Sequence, residues 1–135
     1  MEFSENGTFY VRTYSAGGAL PVEGALVRIR GASEENRGFA RSYLTDRSGV
    51  TDVVSLPTPP KYLSEIPNTR EIPYSSYDVE VLKDGFYTKH YYNVAMFSDT
   101  EAVLPVLMIP VGDYRADGVY PKGNLDAYIT ENEYL

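Results

Sequence analysis

Any chemistry in this chain has to come from oxygen atoms and rings. Of its 135 residues, thirteen are tyrosine and nineteen are Asp or Glu, against one histidine and no cysteine. Without cysteine there is no disulfide, no zinc–thiolate centre and no thiol nucleophile. A serine hydrolase needs an imidazole base, and His90 is the one imidazole available; no serine is spaced to use it. His90 lies in a run that reads as a strand, where a packed or hydrogen-bonded histidine is the ordinary case. Asp78 and Glu80 share a strand face, and paired carboxylates can do acid–base work on a glycan, which makes a carboxylate-based hydrolase one reading. The plainer expectation is a solvated face balanced by Lys83 or by arginines. Asp113, Asp117, Asn124 and Asp126 offer oxygen ligands, but their spacing matches no calcium loop. Neither a metal nor a cofactor is expected.

The tyrosines are the stronger signal. Five fall between Tyr74 and Tyr92 and four between Tyr114 and Tyr134, with no tryptophan anywhere. Tyrosine favours strands, and also interfaces, where an apolar ring carries a polar tip. Tyr10, Tyr14, Tyr62, Tyr87, Tyr91, Tyr114 and Tyr120 form the candidate binding surface. If Tyr87 and Tyr91 point outward beside Tyr10 or Tyr14, they make a flat platform for a sugar. A protein contact would use the same materials.

The elements that position these rings are short strands. Residues 8–14 alternate, with Phe9 and Val11 on one side and Thr8, Tyr10, Arg12 and Tyr14 on the other. Residues 25–30 turn Ala25, Val27 and Ile29 inward and Arg28 and Arg30 outward. Further strands are predicted at 39–45, 50–56, 77–83, 86–97 (bulged near Asn93) and 102–109. The last is nearly all apolar and reads as the most buried, with Pro105 marking an edge or a bulge. Asp46 to Gly49 suits a tight turn and Asp84-Gly85 a two-residue hairpin. Residues 57–73 hold five prolines and form the longest irregular stretch, with one helical turn at 62–66. Seven strands with frequent turn signals predict an all-β, antiparallel, two-sheet sandwich over residues 1–110. Residues 111–135, rich in Gly, Asp and Tyr, read as an irregular C-terminal extension docking on the sandwich or on a partner.

Charge narrows the partners. The net charge is −7, and cations are scattered, so neither nucleic acid nor an anionic membrane surface is expected as a partner. No run approaches the roughly 20 apolar residues that span a bilayer. The acidic start, Met1 to Asn6, is not a signal peptide, so an exported form is expected to use another route or to have lost a leader.

Three stretches carry a resemblance: Pro21 to Ile29 (Pro-Val-x-Gly-Ala-x-Val-x-Ile), Thr45 to Gly49 (Thr-Asp-x-x-Gly) and Tyr77 to Phe86 (Tyr-x-Val-x-Val, then Gly-Phe). Together they resemble the carboxypeptidase-regulatory-like and transthyretin-like β-sandwiches, close in fold to collagen-adhesin B-type repeats and Ig-like in architecture. Residues 56–60, 73–77 and 108–110 are similar to versions attached to cell-wall-associated proteins of bacteria and their phages. The resemblance implies a non-catalytic role at a cell envelope or virion surface. The chemistries hosted by this fold lack their residues here. An isopeptide bond needs a first-strand lysine where Arg12 stands, and a last-strand Asn or Asp that 102–109 does not contain. The urate-pathway hydrolase needs several His and Arg and ends in Tyr-Arg-Gly-Ser; Tyr114-Arg115-Ala116-Asp117 is a partial match in the wrong place. Ring-cleaving dioxygenases bind iron through two Tyr and two His, and one histidine cannot supply that set. The expected function is therefore a structural, adhesion or assembly module acting by protein–protein contact, as a homo-oligomer or with another protein. The alternative is a carbohydrate-binding module taking cell-wall glycan.

Overall fold

A computed structural model describes residues 3–67 and 70–111. Eight strands follow in chain order: β1 (Glu5–Ser15), β2 (Leu20–Pro21), β3 (Leu26–Gly31), β4 (Ala40–Leu44), β5 (Val54–Thr58), β6 (Ser75–Leu82), β7 (Lys89–Met96) and β8 (Glu101–Leu107). They form two sheets. In one, β1 is central, flanked by β5 and β2 on one side and β8 on the other; the second runs β4-β3-β6-β7. All pairs are antiparallel except β1 with β8, which run parallel. The sandwich is the predicted one, with the two-residue β2 added to the seven expected strands.

Alternation builds the core. Phe9, Val11, Leu56, Leu104 and Val106 face inward from the β1 sheet, and Val27, Ile29, Tyr77, Val79, Val81, Tyr91 and Met96 from the other. Three buried threonines knit the sheets' ends. The Thr45 hydroxyl donates to the Val22 carbonyl (2.7 Å) and accepts from the Ala25 N–H (2.8 Å). Thr13 Oγ1 lies 2.8 Å from the Val22 carbonyl and 3.1 Å from that of Gly49. Thr51 Oγ1 accepts the Val11 N–H at 3.0 Å. The Thr45 and Thr13 bonds lock the Pro21 to Ile29 stretch onto the Thr45 to Gly49 turn, and the Thr51 bond ties the chain beyond it to β1. Within that turn Asp46 Oδ1 accepts the N–H groups of Ser48 and Val50, and Gly49 sits at φ +79°. Both features were expected from the turn chemistry.

Two strand readings are corrected. β8 is not the most buried strand. It is an edge strand in which Glu101, Val103, Pro105 and Leu107 are exposed, with Val103 41% and Leu107 38% exposed. Its apolar outward residues imitate the unbroken run of a central strand, while Pro105 marks the edge correctly. The fourth strand runs Val54–Thr58 rather than 50–56, because Val50 and Thr51 are spent on contacts with Arg12 and Val11.

The third correction is to the Asp84-Gly85 hairpin. The turn forms: the Phe86 N–H donates to the Lys83 carbonyl at 3.0 Å, and Gly85 has φ +87°. The chain then leaves β6, and Gly85 and Tyr87 bond to Val111 and Ile109 instead. Pairing resumes only at Lys89, with Val81 opposite Lys89, Glu80 opposite His90 and Val79 opposite Tyr91. A two-residue hairpin would set Val79 opposite His90. The actual register is one residue away, and one residue reverses every side chain of β7. Further along, the predicted bulge is present. Asn93 adopts φ +58°, the register shifts between Tyr77 and Val79, and Asp78 Oδ1 accepts the Asn93 N–H at 3.0 Å.

Candidate functional site

The two outer faces of the sandwich differ in chemistry. On the β4-β3-β6-β7 sheet, pairing aligns Ser42, Arg28, Glu80 and His90 in one row across four strands, and Ala40, Arg30 and Asp78 in the next. Arg28 Nη1 approaches Glu80 Oε1 at 3.3 Å, and His90 Nδ1 lies 3.6 Å from Glu80 Oε2. Strand alternation sets Tyr92 beside His90, their rings 7° from parallel with centroids 6.0 Å apart. Arg28, Arg30, Asp78, Glu80, His90 and Tyr92 line a shallow depression of about 210 Å³. Asp78 and Glu80 do share a face, as predicted, but Glu80 is engaged by Arg28 and His90 and Asp78 holds the bulge.

The β1–β8 face is apolar. Parallel pairing makes outward rows of Thr8 with Glu101, Tyr10 with Val103, Arg12 with Pro105 and Tyr14 with Leu107. The Arg12 guanidinium lies over the Tyr14 ring, 4.8 Å from its centroid. One cation, Arg12, thus lies within a strip of rings, valine, proline and leucine, and one anion, Glu101, closes its end.

The proline-rich stretch is pinned at one end. Glu5 Oε1 accepts the Lys61 N–H at 2.8 Å and a hydrogen bond from the Ser98 hydroxyl, while Lys61 Nζ reaches Asp99 at 3.7 Å. The Ser98 hydroxyl, and then the Lys61 N–H, hold the Glu5 carboxyl below the usual glutamate range. A 3₁₀ turn follows at Lys61–Glu65, close to the predicted helical turn, and leaves Tyr62 57% and Ile66 45% exposed. At the same end the Tyr77 hydroxyl donates to the Pro57 carbonyl, and burial pushes its pKa up.

The structure does not gather the predicted tyrosines into one surface. Tyr10 and Tyr14 are half-buried on the outer face of β1, and Tyr62 is exposed on the loop. Tyr87 and Tyr91 are 3% and 1% exposed, so the platform assigned to them does not exist; the one-residue register difference turns them into the core. Tyr114 and Tyr120 lie outside the described residues, as does the extension. The sequence reading missed Tyr92 as a surface ring. The signal was present in Tyr77, Val79 and Val81: once these face inward, any register that also buries Tyr91 exposes His90 and Tyr92. Among the described residues, no three His, Asp or Glu gather to hold a metal ion, and no helix is long and apolar enough to cross a membrane.

No family model and no curated protein matches the sequence. Solved structures share the architecture. The Bacillus anthracis TIE protein superposes with a TM-score of 0.53 at 15% identity, over 79% of this chain and 17% of that one. A 3-chlorocatechol 1,2-dioxygenase from Rhodococcus opacus 1CP gives 0.54 at 14%, over 82% of this chain and 61% of the enzyme. The catechol 1,2-dioxygenase of Acinetobacter sp. ADP1 gives 0.52 at 15%, over 87% and 57%. The chain thus spans less than two-thirds of the length of each. At these identities the likeness is one of fold: an all-β sandwich of two sheets.

Proposed function

We propose that this chain is a non-catalytic structural or assembly module, working by protein–protein contact at a bacterial cell envelope or on a phage particle. The observation that carries the contact is the apolar outer face of β1 and β8. An antiparallel sandwich ordinarily turns polar side chains to water, as the β3–β6–β7 face does. Val103 and Leu107, 41% and 38% exposed beside Tyr10 and Tyr14, depart from that rule on the other face. Exposed apolar side chains gathered on one face, here interrupted only by Arg12 lying over Tyr14, are the material of an interaction site. The setting rests on the resemblance of residues 56–60, 73–77 and 108–110 to versions of the fold attached to cell-wall-associated proteins of bacteria and their phages.

The partner that fits this face is a second copy. Strand addition is guarded against at the sheet edges: Pro57 sits in β5, Pro105 in β8 and the Asn93 bulge in β7, and Arg41 of β4 is aligned with inward-facing Ile29 and covers the Phe39 ring. That leaves face-to-face packing. Turn a second copy about an axis across the strands at the Tyr10–Val103 row. Its face then meets the first with strands antiparallel, and Arg12 of each copy comes beside Glu101 of the other. The face is self-complementary, as a two-fold interface requires. Sedimentation of the full chain across a concentration range tests this. Wild type should associate, and Val103→Glu with Leu107→Glu should stay monomeric and folded. A wild type that is monomeric at every concentration overturns the reading.

A further inference from the structure

We infer that the outer face of β3, β6 and β7 is a shallow saccharide site taking a neutral hexopyranose unit. This goes beyond the contact proposed above and uses the opposite sheet. A sugar hydroxyl both donates and accepts, so a site for it needs donors and acceptors side by side. Pairing supplies that arrangement twice, as Arg28 beside Glu80 and Arg30 beside Asp78 in adjacent rows. The C–H face of a pyranose needs a ring, whose π face is electron-rich. Tyr92 provides it, 42% exposed and parallel to His90 at the rim of the same depression.

Strand alternation serves this arrangement: Tyr91 is buried, so His90 and Tyr92 on either side of it share the outer face. The bulge follows at Asn93, whose N–H Asp78 Oδ1 accepts, and it lets Val94 and Met96 return to the core. The polar groups are only partly desolvated, with side-chain exposures of 51% for Arg28, 30% for Glu80 and 25% for His90. The chemistry disfavours other ligands. Glu80 and Asp78 offset the two arginines, so the depression carries no excess positive charge to hold a phosphate or carboxylate, and Glu80 is already engaged by Arg28 and His90 rather than open to a cation. An open depression with one ring implies weak binding, in which few groups are desolvated.

The test is a titration of the ¹⁵N-labelled full chain with cellohexaose and, separately, chitohexaose. The backbone signals of Asp78, Glu80, His90 and Tyr92 should shift with at least one of them, with a millimolar dissociation constant. Tyr92→Ala should weaken binding about tenfold, Glu80→Gln should weaken it with the fold intact, and Val53→Ala, exposed elsewhere, should leave it unchanged. If neither oligosaccharide moves these signals, or if binding persists undiminished in Tyr92→Ala and Glu80→Gln, the inference fails. Because neither variant touches Val103 or Leu107, its failure is separable from that of the contact face.

Discussion

Thr45 ties together two stretches that stand twenty residues apart, donating to the Val22 carbonyl and accepting from the Ala25 N–H. Thr45→Val keeps the shape and removes both bonds, so the midpoint of urea unfolding should fall by the equivalent of about 1–3 kcal/mol. Thr45→Ser should retain most of the stability. Gly49 is constrained in two ways: its φ is +79°, and a Cβ there would stand 2.4 Å from the Thr13 carbonyl oxygen. Gly49→Ala should therefore cost at least about 1–3 kcal/mol, read by the same measurement. The threonines explain why the Thr-Asp-x-x-Gly and Pro-Val-x-Gly-Ala patterns are legible in sequence: each position has one stringent local task. Tyr87 and Tyr91 were illegible for the opposite reason. A tyrosine suits a core or a surface, and only register decides which.

At the scale of elements, register depended on a connection whose turn was read correctly and whose length was not. Asp84-Gly85 turns the chain, but Phe86 and Tyr87 are drawn to residues 109–111, a contact that no local pattern announces. Most strand positions, the Asp46 turn and the Asn93 bulge are legible because they are local; the bounds of β5, the start and faces of β7 and the edge position of β8 depend on distant pairing. The Glu5 anchor is likewise a meeting of β1, the proline-rich stretch and the β7–β8 turn. Its carboxyl is held below the ordinary value of about 4.3 by Ser98 and then Lys61. A depressed folded-state pKa gives a contribution fully present above the unfolded value and lost as pH falls through the folded one. Wild type should therefore exceed Glu5→Gln in stability at pH 7, and the gap should close as the carboxyl protonates at acid pH. Equal stabilities at both ends of a pH series of urea melts would show that the charge of Glu5 does not matter.

The whole molecule is a sandwich with guarded edges and unlike faces. Each main edge strand carries a device against strand addition. Besides the bulge, β7 turns Lys89 inward, 2% exposed, with its ammonium 5.9 Å from the centre of the Tyr91 ring. A fold protected this way can meet a partner through its faces, and one of these is apolar. Because the chain has no native cysteine, the contact can be measured at a single introduced thiol. In the two-fold arrangement Val103 of each copy faces Val103 of the other across packed sheets, whose backbones stand about 10 Å apart. Val103→Cys in the full chain, treated with a short bis-maleimide, should give a covalent dimer in high yield. Ser42→Cys, on the opposite sheet, should give little. Equal yields from the two positions, or no dimer from Cys at 103 at concentrations where wild type sediments as a dimer, would contradict the account.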